Sequence, residues 1–366
     1  MEVCLAGTGG EGGWPREGCR CASCERAMAA GQRRAPAEVV VDGLLHVGPG
    51  AGRGAPPPGY RVDAIPGGWD VTGPDGGRLL VAGAAGTAGA VPRPPDGTAP
   101  YDIALLDLLH DPFRLGALRR RGLVGDRTAV AVLHADHRVS SAEELARRCG
   151  YWGVTAPRDG AVLSTAAGAA EAAGPAGPGF TTAARPRRVL VLGGARSGKS
   201  RHAELRLAAE PRVTYLAAGP YPPGHEPAGD HDWTQRVAAH RSRRPPWWDT
   251  VESLDAAATV RKVPGALLLD GAGTWLAGVM QESAAWDADP GALRRVAARA
   301  DELVEAWRQT PARVVAVSDE VGWGVHPESR AGRVFRDQLG WLNQRLAAAA
   351  DETVLMVAGR AVALPP

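Results

Sequence analysis

Eight residues near the middle of the chain constrain its fold more than any other stretch: Gly193-Gly194-Ala195-Arg196-Ser197-Gly198-Lys199-Ser200. They fit the pattern G-x-x-x-x-G-K followed by Ser or Thr. An apolar run at 189–192 that reads as a strand stands directly before them, and a helical stretch at 199–209 begins within them, which is the context a phosphate-gripping loop requires. Glycine lets the backbone bend so that several N–H groups converge on one anion, at a helix N-terminus whose partial positive charge favours it. Lys199 would reach the β- and γ-phosphates of a nucleoside triphosphate, and the Ser200 hydroxyl would ligate Mg²⁺. In a chain with 48 glycines the glycines alone mean little, but lysine is scarce: Lys199 and Lys262 are the only two, and every other basic residue is Arg. That bias suggests GC-rich coding, and it makes a lysine at this point informative.

From this loop onward short apolar strands alternate with helices. Strands are expected at 189–192, 213–217, 266–270, 313–318 and 353–357, the last being the final strand, and helices at 199–209, 234–241, 290–308 and 334–350. The alternation predicts an α/β fold with a mostly parallel sheet covered on both faces and ligands at the carboxyl ends of its strands. Asp270, closing Ala-Leu-Leu-Leu-Asp, is placed to hold the metal through water, and Glu320, at another strand end, is a second candidate.

At 366 residues the chain exceeds what one core usually supports, so two domains are expected, 1–164 and 187–366. The run 165–186, composed of Ala, Gly, Pro and Thr with hardly a large apolar residue, reads as the linker between them. In the first domain strands are expected at 3–5, 78–82 and 128–133, regular order at 103–109, and helices at 22–31, 113–121 and 141–149, the last capped by Ser140 or Ser141. The Gly- and Pro-dense stretch 48–100 suits strands joined by turns. A formal net charge of +2 supplies no field for nucleic acid or an anionic membrane surface. No segment approaches the roughly 20 apolar residues of a membrane helix, and the start lacks a basic region followed by an apolar one. Five cysteines, three of them between 19 and 24, do not resemble a secreted disulfide framework. A cytoplasmic protein without a nucleic-acid or membrane partner is expected.

Four blocks in order resemble the bifunctional adenosylcobinamide kinase/adenosylcobinamide-phosphate guanylyltransferase family, over about 187–359. They are the glycine loop with Arg201-His202-Ala203-Glu204, then Arg236-Val237-Ala238-Ala239-His240-Arg241, then Glu320-Val321-Gly322-Trp323-Gly324 with Pro327 and Arg330, and last Asn343-Gln344-Arg345-Leu346-Ala347. The resemblance implies a RecA-like P-loop NTPase fold and an enzyme of cobalamin biosynthesis. Such an enzyme phosphorylates adenosylcobinamide with ATP or GTP, then moves GMP from GTP onto the new phosphate through a guanylylated histidine. By this resemblance His240 is that histidine; a neutral imidazole is a competent nucleophile at physiological pH. It also implies that Ala217, Ala218 and Gly219 approach the guanine nucleotide. Arg241, Ser242, Arg243 and Arg244 would meet the phosphates, Glu252 and Asp270 would complete the guanosine and metal contacts, and the protein would be a homotrimer. Trp247 and Trp248 would either stack on a corrin or base or anchor their loop by burial, and the stretch 221–232 departs from the family pattern. Without the resemblance two other readings stand: a P-loop kinase or ATPase of other specificity, and a non-catalytic nucleotide-sensing protein.

Near the start, Gly7-Thr8-Gly9-Gly10, Gly13-Trp14-Pro15 and Cys19-x-Cys21-x-x-Cys24 resemble the opening of a branch of the metallo-β-lactamase fold in which these cysteines hold a structural zinc. Three thiolates need a fourth ligand to close a tetrahedron, and His134 or His137 is the natural candidate. The catalytic signature of that fold, H-x-H-x-D-H, is not intact: His134-Ala135-Asp136-His137 supplies its last four positions, and Val132 stands where the first histidine belongs. The resemblance therefore implies a degenerate domain that does not hydrolyse.

Overall fold

Val3 and Leu5 turn into a core while Glu2 and Ala6 face water, and this period of two makes β1 (Glu2–Gly7) a strand in the computed structural model. The structure describes residues 1–48, 55–83, 99–166, 185–218 and 241–365. The chain divides into two units, Met1–Arg185 with Ala208–Pro211, and Pro186–Leu207 with Arg212–Pro366.

In the first unit β1 is followed by α1 (Ala22–Ala29), β2 (Glu38–Val41), β3 (Leu45–Val47), β4 (Arg61–Ile65), β5 (Gly68–Thr72), β6 (Arg78–Ala82) and β7 (Ile103–Leu106). Then come α2 (Arg114–Arg120), β8 (Ala129–Val132), α3 (Ala142–Trp152) and β9 (Ala161–Ser164). Two sheets form, an antiparallel one in the order β3-β2-β1-β9 and a mixed one in the order β4-β5-β6-β7-β8. They share one core, in which Leu5, Val41 and Leu163 of the first sheet join Leu79, Ile103, Leu105 and Ala131 of the second. The parallel strands β7 and β8 are buried along their whole length, the mark of strands covered on both faces. Ser141 caps α3 by accepting a hydrogen bond from the backbone N–H of Glu144.

The second unit runs β10 (Arg188–Gly193), α4 (Lys199–Leu207), β11 (Val213–Ala217), β12 (Asp249–Glu252), α5 (Ala256–Lys262), β13 (Ala266–Asp270), α6 (Ala272–Glu282), α7 (Pro290–Gln309), β14 (Val314–Asp319), α8 (Arg330–Ala348), β15 (Glu352–Val357) and β16 (Arg360–Leu364). One sheet orders them β12-β11-β13-β14-β10-β15-β16, parallel except for β16. Its core gathers Leu190, Leu216, Leu267, Leu269, Trp275, Trp307, Leu339 and Leu346.

One expectation needs correction here. The strand at 353–357 is not the last, because Ala358 and Gly359 take positive φ (49° and 75°) and turn the chain back into the antiparallel β16. The strand carries the apolar run Ala361-Val362-Ala363-Leu364, which the expected strands did not include, and four of its five side chains are exposed. Strand β12 and helices α5 and α6 have no counterpart among the expected elements; in α6, glycine inside the helix lowers its propensity. Gly278 lets Leu254 pack close to the helix, since a Cβ there would come within 2.5 Å of Leu254 Cδ2. The helix expected at 234–241 lies outside the described residues up to residue 240, as does most of the expected linker.

Candidate functional site

The register of the parallel sheet brings three strand ends together. Gly193 of β10 pairs with Asp319 of β14, and Asp270 of β13 pairs with Val317 two residues earlier on β14, so both carboxylates flank the loop that leaves β10. That loop depends on its glycines. Gly198 has φ +95°, and a Cβ at Gly193 would come within 2.5 Å of Ser197 Oγ and 2.9 Å of Met356 O. Gly194, Ala195 and Arg196 are exposed along it, and α4, which it opens into, packs against β10, β13 and β14.

Lys199 Nζ lies 2.8 Å from Asp319 Oδ1 and donates to the Gly194 carbonyl at 3.1 Å. Ser200 Oγ donates to Asp270 Oδ1 at 3.1 Å, and the Tyr215 hydroxyl donates to the other oxygen, Oδ2, also at 3.1 Å. A hydroxyl and a carboxylate at this separation are the hard oxygen donors that Mg²⁺ takes.

Glu320, the second carboxylate candidate, is used in a turn: its N–H donates to the Gly193 carbonyl and its Oε1 accepts from the Gly322 N–H. Its neighbour Asp319 is the one that pairs with Lys199. Asn343 explains part of the last sequence block, because Ser318 Oγ donates to its Oδ1 at 2.6 Å and its Nδ2 donates to the Asp319 carbonyl at 3.0 Å. It thereby fixes the strand end that carries Asp319.

The arginine run is tied to protein groups. Arg243 donates through Nε and Nη2 to the two oxygens of Glu204, a buried side chain on α4, at 3.2 and 3.1 Å. The guanidinium of Arg244 lies 3.6 Å from the Tyr215 ring centroid, and Arg241 pairs with Glu252 at 3.1 Å. Arg241 and Ser242 keep solvent-facing surface. Ala217 and Ala218 follow at the end of β11, and Trp248 is buried, as loop anchoring expects. Gly219 and His240 lie outside the described residues.

In the first unit, ligand atoms of Cys19, Cys21, Cys24 and His137 all lie within 4.8 Å of one another. His137 Nδ1 stands 3.5 Å from Cys19 Sγ and 3.7 Å from Cys24 Sγ. Arg26 on α1 holds the following turn by donating twice to the Ser140 carbonyl. Backbone N–H of Cys24 holds the Cys21 thiol below its usual range, while burial pushes Cys24 up to about 11. Of the two histidines, His137 joins the thiols. The His134 carbonyl instead accepts from Arg138, whose guanidinium also bonds the carboxylates of Asp107 and Asp136. Burial lowers the His134 pKa. Among the described residues, the cysteine cluster is the one group of three or more such side chains that could hold a metal.

A family model described as cobinamide kinase / cobinamide phosphate guanyltransferase matches residues 189–364. The bifunctional adenosylcobalamin biosynthesis protein CobU of Salmonella typhimurium is 40% identical over 184 residues, which are 47% of this chain and 96% of that protein. The corresponding CobP of Pseudomonas aeruginosa is 39% identical over 178 residues, 47% of this chain and 94% of its own length. Zinc-bound PqqB from Methylobacterium extorquens overlaps 45% of the chain and all of its own at 14% identity and a TM-score of 0.30, too low a similarity to assign a fold.

Proposed function

Because the chain belongs to the cobinamide kinase / cobinamide phosphate guanyltransferase family, we propose that its second unit is a P-loop enzyme of cobalamin biosynthesis that phosphorylates adenosylcobinamide and then guanylylates the product. The observation that carries this reading is the meeting of Lys199, Ser200, Asp270 and Asp319 at the carboxyl ends of parallel strands, within the stretch 189–364 that the family model matches. In the first step the hydroxyl oxygen of the aminopropanol arm forms a bond to the γ-phosphorus of ATP or GTP as the β–γ bridge breaks and the hydroxyl proton leaves. Lys199 exchanges its Asp319 and Gly194 partners for phosphate oxygens and neutralises charge there. Ser200 and Asp270 would hold Mg²⁺, whose charge the triphosphate oxygens require.

In the second step a His240 imidazole nitrogen bonds the α-phosphorus of GTP and pyrophosphate leaves. A phosphate oxygen of the kinase product then displaces the imidazole, completing the diphosphate. Arg241 and Ser242 are exposed beside this chemistry in the sequence, and Ala217, Ala218, Gly219 and Glu252 serve the nucleoside.

Intact mass after incubation with GTP and Mg²⁺ tests the reading. The expected result is an acid-labile gain of one GMP that is absent from His240→Ala. Wild-type protein without the adduct overturns it. A kinase of other specificity would keep nucleotide turnover in that variant and show no adduct, and a nucleotide sensor would bind without turnover.

For the first unit the reading is a degenerate metallo-β-lactamase-like fold with structural zinc at Cys19, Cys21, Cys24 and His137. Three sulfurs and one imidazole nitrogen so close together match a closed tetrahedral set. Arg138 supports the absence of a hydrolytic metal here, since its guanidinium bonds both nearby carboxylates. Metal analysis should find one zinc per chain, lost in Cys24→Ser, and none in wild type would defeat the assignment. A cytoplasmic homotrimer is the assembly we propose, tested by native mass.

A further inference from the structure

The Asp270 carboxylate is shared between two donors. Oδ1 takes the Ser200 hydroxyl and Oδ2 takes the Tyr215 hydroxyl. The sheet dictates this meeting: Tyr215 of β11 pairs with Leu268 of β13, and Asp270 lies two residues farther along, so both side chains leave the same face. Ser200 reaches that face from α4, and Glu204, four residues later, lies on the same side of the helix. Two adjacent arginines bind this assembly together. Arg243 grips Glu204 with two hydrogen bonds, while Arg244 covers the Tyr215 ring and donates to Thr250, the residue paired with Tyr215 on β12. Tyr215 is 5% exposed.

We propose that Tyr215 is a positioning residue for the metal-binding carboxylate: its hydroxyl holds Oδ2 of Asp270 so that Oδ1 faces Ser200, and Arg244 holds the ring in place. This rests on the reading of Ser200 and Asp270 as the Mg²⁺ pair. A carboxylate with one oxygen anchored presents the other in a single direction, whereas an unanchored one must be ordered each time the cation binds. Outer partners of this kind contribute about 10- to 100-fold to metal affinity.

The test is calorimetric titration of a non-hydrolysable GTP analogue, once with Mg²⁺ and once with EDTA. Wild type gains affinity when Mg²⁺ is present. Tyr215→Phe, which keeps the ring and loses one hydroxyl, should forfeit about tenfold of that gain and keep its affinity in EDTA. A full gain in a folded Tyr215→Phe overturns the proposal. Asp270→Asn separates the two levels: if it loses the gain while Tyr215→Phe keeps it, only the positioning role falls. If both keep it, the metal assignment falls as well. Should Tyr215→Phe not fold, Thr250→Val is the second variant: it removes the hydroxyl that holds Arg244 over the ring, with an expected loss of about threefold confined to the Mg²⁺-dependent part. An unchanged gain there, or an equal loss in EDTA, overturns the proposal.

Discussion

The two units treat their buried charge in opposite ways. In the second, Lys199 rests on a carboxylate that is 41% exposed and on a carbonyl of its own loop, partners that phosphate oxygens can replace. In the first, Arg138 is locked between Asp107, whose side chain is 1% exposed, Asp136 and the His134 carbonyl. Lys199 thus faces one partly exposed carboxylate, whereas Arg138 faces two, one of them fully buried. On the proposed reading a strand end becomes a binding site only where its charge can be handed over. The exposed Gly194, Ala195 and Arg196 of the loop stand beside Lys199, which on the proposed reading is where that exchange would take place.

The hardest blow to this contrast comes from Lys199→Ala. Nucleotide-dependent turnover should fall on the order of 10²–10³, measured by product formation, while the zinc content of the first unit stays unchanged; full activity would show that the lysine is not the exchanged cation. A finer cut compares Arg138→Leu with Asn343→Ala. Removing the arginine leaves Asp107 buried without its cation, and removing the amide orphans Ser318 and the Asp319 carbonyl. Each should cost about 1–3 kcal/mol of stability in urea unfolding. Only Asn343→Ala should also lower turnover, because Asp319 sits on the strand end it holds. Equal loss of turnover from both would erase the distinction between the units. The smallest effect is expected from the helix caps, where Ser141 in the first unit and Ser329 in the second each accept one backbone N–H. Replacement of either by Ala should cost about 1 kcal/mol, and thermal unfolding should find the two alike, since a cap acts locally whatever its unit does.

Much of the site was legible before any coordinates. The glycine loop, Asp270 at its strand end and the Cys19, Cys21, Cys24 spacing are local patterns whose chemistry follows from residue type. Asp319 closes an apolar run just as Asp270 does, but the sequence reading names Glu320 beside it; only the structure shows that Asp319 is the one that meets Lys199. Tyr215 carried no signal at all: a tyrosine inside Val-Thr-Tyr-Leu-Ala reads as core, and its partner is 55 residues away. The resemblance implies phosphate contacts for the arginine run; the carboxylate and ring that Arg243 and Arg244 meet in the structure lie on α4 and β11, and nothing in the run itself names them.

The sequence by itself determined where this chain bends, alternates and repeats: the loop at 193–200, strands against helices, and the cysteine spacing. Each of these depends on backbone geometry within a few residues. Which carboxylate Lys199 meets, which histidine joins the thiols and which oxygen of Asp270 is left to a cation were decided only by tertiary structure. Those choices turn on strand register and helix docking, where shifts of one residue or a few ångströms exchange one partner for another.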